Sequence, residues 1–357
     1  MTTSPLTSMR DRLNNADRAL LANVPDRYLT PVKLENFILA RNEERRKKTV
    51  LTAAPYHLVV EPTNACNLRC PLCPTGSGVA SRKTGRMSMA KFKNLVAALE
   101  TTTIELYLQN WGESTLLPDL PEMIRYSAGM GLWTHLSSNF SIRYPSGYLE
   151  DLVTSGLSFL TVDVDGLSQD VYECYRRGGR LARVIENLRS AVQVKRSRGL
   201  SEPQITATMI AMRHNEHQLA DFADFCGQLG VDAGSVGKLQ INPNVTASWL
   251  PENPDHVYRT YRGGVQSAPC HWPWSGLVIN WDGGVSPCCI IEDCRADFGN
   301  VFQTPLHELW NNTCFQSARA QFAAPAATLP RTICNLCKND THHPRLPRAG
   351  DTFAITL

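Results

Sequence analysis

The sequence predicts an α/β fold, a run of βα units around a parallel sheet, followed by a small cysteine-rich C-terminal region. Three observations carry this. From residue 57 to about 242, apolar runs of strand length alternate with stretches of helical periodicity. After about 250 the alternation stops, and Pro, Gly, Trp and Cys accumulate. Just after the first predicted strand, three cysteines fall at the spacing C-x-x-x-C-x-x-C.

Composition narrows the class. The 357 residues are 43% hydrophobic and 19% charged, as in ordinary globular chains, and a net charge of +3 is too small to argue for nucleic acid or a membrane surface. No apolar run approaches the length of a membrane span, and the N-terminus lacks the apolar core of a signal peptide. A cytoplasmic protein is therefore expected, in which 12 cysteines serve metal binding rather than disulfides.

Residues 1–50 read as an N-terminal helical segment. Leu20, Leu21, Leu34, Phe37, Ile38 and Leu39 recur at roughly helical spacing, and Arg41, Arg45, Arg46, Lys47 and Lys48 read as the solvated C-terminal end of a helix. Residues 51–250 hold the βα units. Residues 57–61 form the first predicted strand, and Cys66, Cys70 and Cys73 sit on the loop leaving its C-terminal end. Pro71 and Pro74 keep that loop irregular, because proline lacks an N–H and disfavours helix at the residue before it. Ser88 suits the N-cap of a helix through Phe92, Leu95, Val96 and Leu99. Further strands are expected over 104–109, 133–137, 159–164, 205–211 and 236–241, with helices over 120–130, 149–154, 181–194 and 216–229. Working groups in βα folds collect at the C-terminal ends of the strands.

In residues 251–357, Asp282-Gly283 between two short apolar runs predicts a hairpin that holds Cys270 near Cys288. Cys334-Asn335-Leu336-Cys337 is a C-x-x-C knuckle able to place two sulfurs on one metal. These four thiols make a complete set, suited to an iron–sulfur cluster or to zinc. The three thiols of the first loop are one short of that set, and an open metal position is where a cofactor or substrate binds. Of the remaining cysteines, Cys226 reads as core, and strand alternation would turn Cys289 away from the face of Cys288.

C-x-x-x-C-x-x-C after a first strand resembles the signature of the radical S-adenosylmethionine enzymes. The resemblance implies a partial (β/α)6 barrel in which Cys66, Cys70 and Cys73 hold a [4Fe–4S] cluster. The fourth iron would chelate S-adenosylmethionine, whose reductive cleavage gives a radical that abstracts hydrogen from an unactivated C–H bond. Asn110-Trp111-Gly112-Glu113 resembles the family's G-G-E segment, so Asn110, Gly112 and Glu113 would hold the methionyl amino group. Ser137-Ser138-Asn139 resembles the ribose-contacting turn and brings in Ser138 and Asn139. Residues 161–166, Thr-Val-Asp-Val-Asp-Gly, resemble S-x-D-G with Asp163 where serine is more usual. Residues 172–179 resemble Y-x-x-x-R-x-G-G, whose arginine, here Arg176, pairs with the methionyl carboxylate through its bidentate fork.

The C-terminal region resembles the SPASM/twitch extension of these enzymes. With no cysteine beyond Cys337, it implies one auxiliary [4Fe–4S] cluster on Cys270, Cys288, Cys334 and Cys337. This layout, spanning about residues 55–340, is similar to that of the 2-deoxy-scyllo-inosamine dehydrogenases, which oxidise an aminocyclitol alcohol. The expected function is hydrogen abstraction from a hydroxyl-bearing carbon of a small sugar-derived intermediate (aminocyclitol, nucleoside or uronic acid), leading to dehydrogenation, decarboxylation or epimerisation. An electron donor of the flavodoxin or ferredoxin type is implied. The alternative is modification of a ribosomal peptide or a protein side chain, and a non-enzymatic iron–sulfur electron carrier is the third reading.

Overall fold

Six parallel strands follow one another in chain order: β1 (His57–Val60), β2 (Glu105–Tyr107), β3 (Trp133–Ser138), β4 (Phe159–Asp163), β5 (Gln204–Ile210) and β6 (Ala233–Gly237). A seventh, β7 (Gly276–Ile279), pairs parallel with the far edge of β1, and β8 (Val285–Ser286) turns back antiparallel on β7. The sheet order is β6-β5-β4-β3-β2-β1-β7-β8. The structure is a computed structural model and describes residues 5–11, 13–240, 245–257, 270–323 and 329–339. The C-terminal region expected as a separate domain is therefore joined to the barrel through its own hairpin.

Alternation along the strands divides the sheet into two faces. Leu58, Val60, Leu106, Leu136, Leu160, Val162, Ile205, Ala207 and Met209 are 0–2% exposed and pack under the crossover helices. Each of these side chains except Ala207 contributes roughly 1.5–3 kcal/mol by leaving water. The opposite face carries His57, Glu105, Tyr107, Gln109, His135, Ser137, Phe159, Thr161, Asp163, Thr206 and Thr208, all half-buried. A polar, partly open lumen is thereby lined on one side by the strands that a core would otherwise fill.

The segment before β1 covers the N-terminal ends of the strands. The helix Pro31–Arg45, capped by Thr30 Oγ1 accepting the Lys33 N–H at 3.2 Å, buries Leu34 and Phe37 against Tyr28, Ile104 and Trp133. The predicted cationic helix end is only partly solvated. Arg45, Arg46 and Lys48 are exposed, whereas Arg41 is half-buried; Arg41 and Arg45 both reach Asp17, which is 2% exposed, at 2.8 and 2.6 Å.

Two boundaries differ from the sequence pattern. The helix expected over 216–229 splits into a single turn, Glu216–Gln218, and the helix Phe222–Leu229. Glu216 is held by the N–H groups of Glu252 and Asn253, at 2.5 and 2.9 Å, which draws the turn toward a distant segment. Strand β6 starts at Ala233 rather than 236, because Gly230 ends the helix in the left-handed region (φ 70°) and Asp232 N–H already bonds Ile205 O at 2.8 Å. Of the predicted 236–241 strand, Ile241 lies outside the described residues.

Arg319, fully buried, binds the C-terminal region to the rest of the chain. It donates to the carbonyls of Pro273 and Trp310 at 2.7 Å and of Thr49 at 2.9 Å.

Candidate functional site

The loop leaving β1 brings Cys66, Cys70 and Cys73 into one apolar nest with Leu68, Leu72, Tyr175 and Met212. Burial pushes the Cys66 thiol up to about 11 and the Cys70 thiol up to about 12, and each feels the neighbouring thiols. Thiols so placed do not ionise by themselves near neutral pH; a bound cationic centre is what offsets the charge. The Leu68 N–H points at Cys66 Sγ from 3.4 Å. Gly76 stands against the Cys70 backbone so closely that a Cβ there would come within 2.4 Å of Cys70 N. Three soft donors in a tight apolar wrap fit an iron–sulfur cluster with one open iron.

The turn after β2 lies directly on this loop. Glu113 N–H donates to Ala65 O at 2.8 Å, and a Cβ on Gly112 would fall 2.0 Å from Thr63 O, so only glycine fits. The Glu113 carboxylate is 3% exposed and takes four donors. Oε1 accepts from Thr115 Oγ1 (2.6 Å), Ser138 Oγ (2.8 Å) and Thr115 N (3.2 Å), and Oε2 accepts from Asn139 N (2.7 Å). Predicted residues Glu113, Ser138 and Asn139 thus form a single connected unit at the ends of β2 and β3. Asn139 Nδ2 also reaches Asn67 Oδ1 at 3.0 Å, beside Cys66. Asn110 Nδ2 is buried with no protein partner among the described residues, a donor left open toward a ligand.

Arg176 completes the ring. Its Nε donates to Asp165 Oδ2 at 2.5 Å and its Nη2 stands 3.2 Å from Asp163 Oδ2. Burial pushes the Asp163 carboxyl up to about 6 against the pull of Arg176. The guanidinium also faces Cys70, which joins the arginine to the cysteine loop. Asp165 was not singled out by sequence. It is fully buried and accepts the Ile210 N–H at 2.8 Å as well, so it fixes Arg176 to β5. The D-G pair at 165–166 was its only signal. Glu61 and Asn64 were also missed, since their roles are contacts to backbone far along the chain: Asn64 accepts the Gly85 N–H at 2.9 Å and donates to Lys83 O at 3.0 Å.

Cys270, Cys288, Cys334 and Cys337 lie within electrostatic reach of one another in the C-terminal region, although no three of the described side chains are set closely enough to share a metal. Burial pushes Cys288 and Cys334 well above the ordinary thiol range, with the other thiols adding to it, while Cys270 is exposed and is raised with its neighbouring thiols contributing. Cys289 lies within electrostatic reach of Cys288 and Cys270, and Cys314 within reach of Cys334. Strand alternation does not hold Cys289 away, because β8 ends at Ser286 and residues 287–290 form a bend and turn.

This region roofs the first loop. Trp281 Nε1 donates to Lys83 O at 3.0 Å and Trp111 Nε1 to Ile291 O at 3.4 Å. Arg82 is clamped between Asp282 and Asp297, at 2.6 and 2.7 Å.

Comparison with known proteins agrees with this geometry. Residues 60–226 match the radical SAM superfamily and residues 270–339 match SPASM, an iron–sulfur cluster-binding domain. Mycofactocin maturase MftC of Mycobacterium ulcerans is 29% identical over 180 residues, 50% of this chain and 46% of that protein, so the match spans about half the maturase. The tungsten-containing aldehyde ferredoxin oxidoreductase cofactor-modifying protein of Pyrococcus furiosus is 24% identical over 314 residues, 76% of this chain and 86% of that one. Streptococcus suis SuiB bound to S-adenosylmethionine superposes with a TM-score of 0.63 at 15% identity, covering 88% of this chain and 81% of SuiB. SuiB bound to its precursor peptide SuiA superposes at 0.61. At such identity the shared property is the fold. The chain joins a radical S-adenosylmethionine domain to a SPASM domain, and with them come a [4Fe–4S] cluster, an auxiliary cluster and an S-adenosylmethionine site.

Proposed function

We propose that this radical S-adenosylmethionine enzyme abstracts hydrogen from a carbon of a peptide or protein side chain. The chemistry supplied by the cluster and S-adenosylmethionine, when bound, is one-electron cleavage of the sulfonium and hydrogen-atom abstraction. Cys66, Cys70 and Cys73 would hold the first cluster, and Cys270, Cys288, Cys334 and Cys337 the auxiliary one. Asn110, Gly112 and Glu113 would hold the methionyl amino group, Arg176 the carboxylate, and Ser138 and Asn139 the ribose. Asp163 would then mark the boundary between cofactor and substrate.

One observation carries the substrate reading. Below Asp163, the register of the strands puts Ser137, Thr161 and Thr206 in one row, which Gln109 joins by accepting the Ser137 N–H at 2.7 Å, with Tyr107, His135 and Phe159 one row deeper. Tyr107 and Phe159 stack on either side of His135 at 4.2 and 4.9 Å. Burial lowers His135 to about 4, so the ring is neutral at physiological pH. Two strand rows separate Asp163 from the aromatic floor, roughly 13 Å at 3.3 Å per residue. The row between them carries uncharged hydrogen-bonding groups, a chemistry that suits a polar or aromatic side chain of a substrate. The precursor peptide bound to SuiB and the description of MftC as a maturase support this reading over the sugar-derived one. The hydroxyl lining would also suit a small sugar, and this keeps dehydrogenation, decarboxylation or epimerisation of such a molecule as the second reading.

The test uses anaerobically reconstituted, dithionite-reduced protein. Short peptides encoded beside its gene are assayed for 5′-deoxyadenosine release and for a mass change. A peptide that raises 5′-deoxyadenosine formation and is itself altered supports the proposal. Stimulation by an aminocyclitol, nucleoside or uronic acid, with every peptide unchanged, would replace it with the sugar reading.

A further inference from the structure

Glu61 immediately follows β1 and is 1% exposed, yet the roles assigned above do not use it. Its own N–H donates to Ile279 O at 2.9 Å, which fixes its backbone between β1 and β7. Its carboxylate Oε1 accepts the Trp111 N–H at 2.8 Å, and the Gly112 N–H also points at it. The charged groups facing it are Arg82 and Asp282. The carboxylate therefore sits behind the turn 110–113, on the side where Gly112 presses against Thr63 and Asn64.

The consequence follows from peptide geometry. In a planar trans peptide the N–H of one residue and the C=O of the residue before it point in opposite directions. Because the Trp111 and Gly112 amides are aimed at Glu61, the carbonyl oxygens of Asn110 and Trp111 are aimed away from it. A turn with its donors satisfied behind and its acceptors in front attracts a cation and repels an anion.

We infer that Glu61 is a positioning residue for S-adenosylmethionine, orienting the Asn110 and Trp111 carbonyls toward the N–H groups of the methionyl amino group. The inference rests on the reading that this turn holds the methionyl amino group. Glu61 acts through the backbone and touches no ligand. Burial pushes its carboxyl up to about 7, so the ionised form that holds two amides is gained as pH rises through neutrality.

The experiment compares two probes on anaerobically reconstituted protein by equilibrium binding: S-adenosylmethionine, and 5′-methylthioadenosine, which lacks the amino-acid end. Loss of a charge-assisted hydrogen bond corresponds to about 10-fold in affinity. Glu61→Gln is expected to weaken S-adenosylmethionine about 10-fold while leaving 5′-methylthioadenosine within about 2-fold. In wild type, the preference for S-adenosylmethionine should grow between pH 6 and 8, and in Glu61→Gln it should be flat. Iron content serves as the folding control, with Glu61→Asp expected to restore part of the preference. Equal weakening of both probes by Glu61→Gln, or a wild-type preference independent of pH, would overturn the inference. Glu113→Ala separates the two claims. If Glu113→Ala weakens S-adenosylmethionine selectively and Glu61→Gln does not, only the role of Glu61 fails. If neither variant separates the probes, the reading of the turn fails.

Discussion

Glu113 and Asn139 meet across the ends of β2 and β3, the Asn139 N–H donating to Glu113 Oε2 at 2.7 Å. With Ser138 and Thr115 on the other oxygen, one carboxylate organises two turns expected to touch different parts of S-adenosylmethionine. Glu113→Gln replaces an acceptor by an NH2 group that faces donors already in place. The expected cost is about 1–3 kcal/mol of stability, from a buried donor left unpaired, together with at least about 10-fold weaker S-adenosylmethionine binding. Urea unfolding and ligand titration on the same preparation check both. Wild-type values in both would show that this contact organises nothing.

Arg82 stands in the loop after the first three cysteines, and its partners flank the hairpin that leads to Cys288. The guanidinium side chain is 6% exposed and that of Asp297 15%. Removing one partner from a buried pair leaves an uncompensated charge, a loss of about 3–5 kcal/mol. Arg82→Met should therefore destabilise the chain strongly, and Arg82→Met/Asp297→Asn should recover at least half of that loss. A double mutant no more stable than Arg82→Met, by chemical denaturation, would show that the carboxylate is not the cause.

The buried carboxyls also set a pH dependence. Burial moves Glu61 from 4.5 to about 7 and Asp297 from 3.8 to about 6. Between about pH 4 and 7 the folded chain therefore holds protons that the unfolded chain has released. Their contribution is fully present at low pH and is lost as pH rises through the folded values. For Glu61 this amounts to roughly 3 kcal/mol. The apoprotein should unfold at lower urea at pH 8 than at pH 5.5, and Glu61→Gln should reduce that difference. An unchanged difference in the variant would rule out Glu61 as its source.

Much of the site was legible because its chemistry depends on residue type at fixed spacing. Cys66, Cys70 and Cys73 share one short loop, and Glu113, Ser138, Asn139 and Asp163 lie on or just after strand ends, where βα geometry collects working groups, while Arg176 follows the helix after β4. Strand positions were legible too, since Leu58, Leu106 and Leu160 must face helices. What remained hidden was work done across distance. Arg41 read as solvated because nothing local announces Asp17, more than 20 residues away, as its buried partner, whereas Arg45 is exposed as expected and still reaches the same carboxylate. Asp165 acts on a backbone N–H of β5 and Glu61 on those of the turn after β2, and a backbone donor has no sequence signature. The helix over 216–229 was broken by Glu216 reaching to residues 252 and 253, a tertiary contact that outweighs local periodicity.

The C-terminal thiols allow a sharper test than counting cysteines. Cys270, Cys288, Cys334 and Cys337 lie within electrostatic reach of one another, and Cys289 and Cys314 reach some of them as well. If the four are the ligands, Cys334→Ala should lower iron from about eight to about four per chain. Because the first cluster is held on a separate loop, that variant should still form 5′-deoxyadenosine from S-adenosylmethionine and dithionite. Cys289→Ala and Cys314→Ala should each keep about eight irons. Iron and sulfide analysis, with electron paramagnetic resonance of the reduced samples, reads all three variants. Loss of about four irons in Cys314→Ala or Cys289→Ala would place that thiol in the ligand set. The same loss accompanied by bound zinc in wild type would make the site structural and leave the substrate radical without its auxiliary electron acceptor.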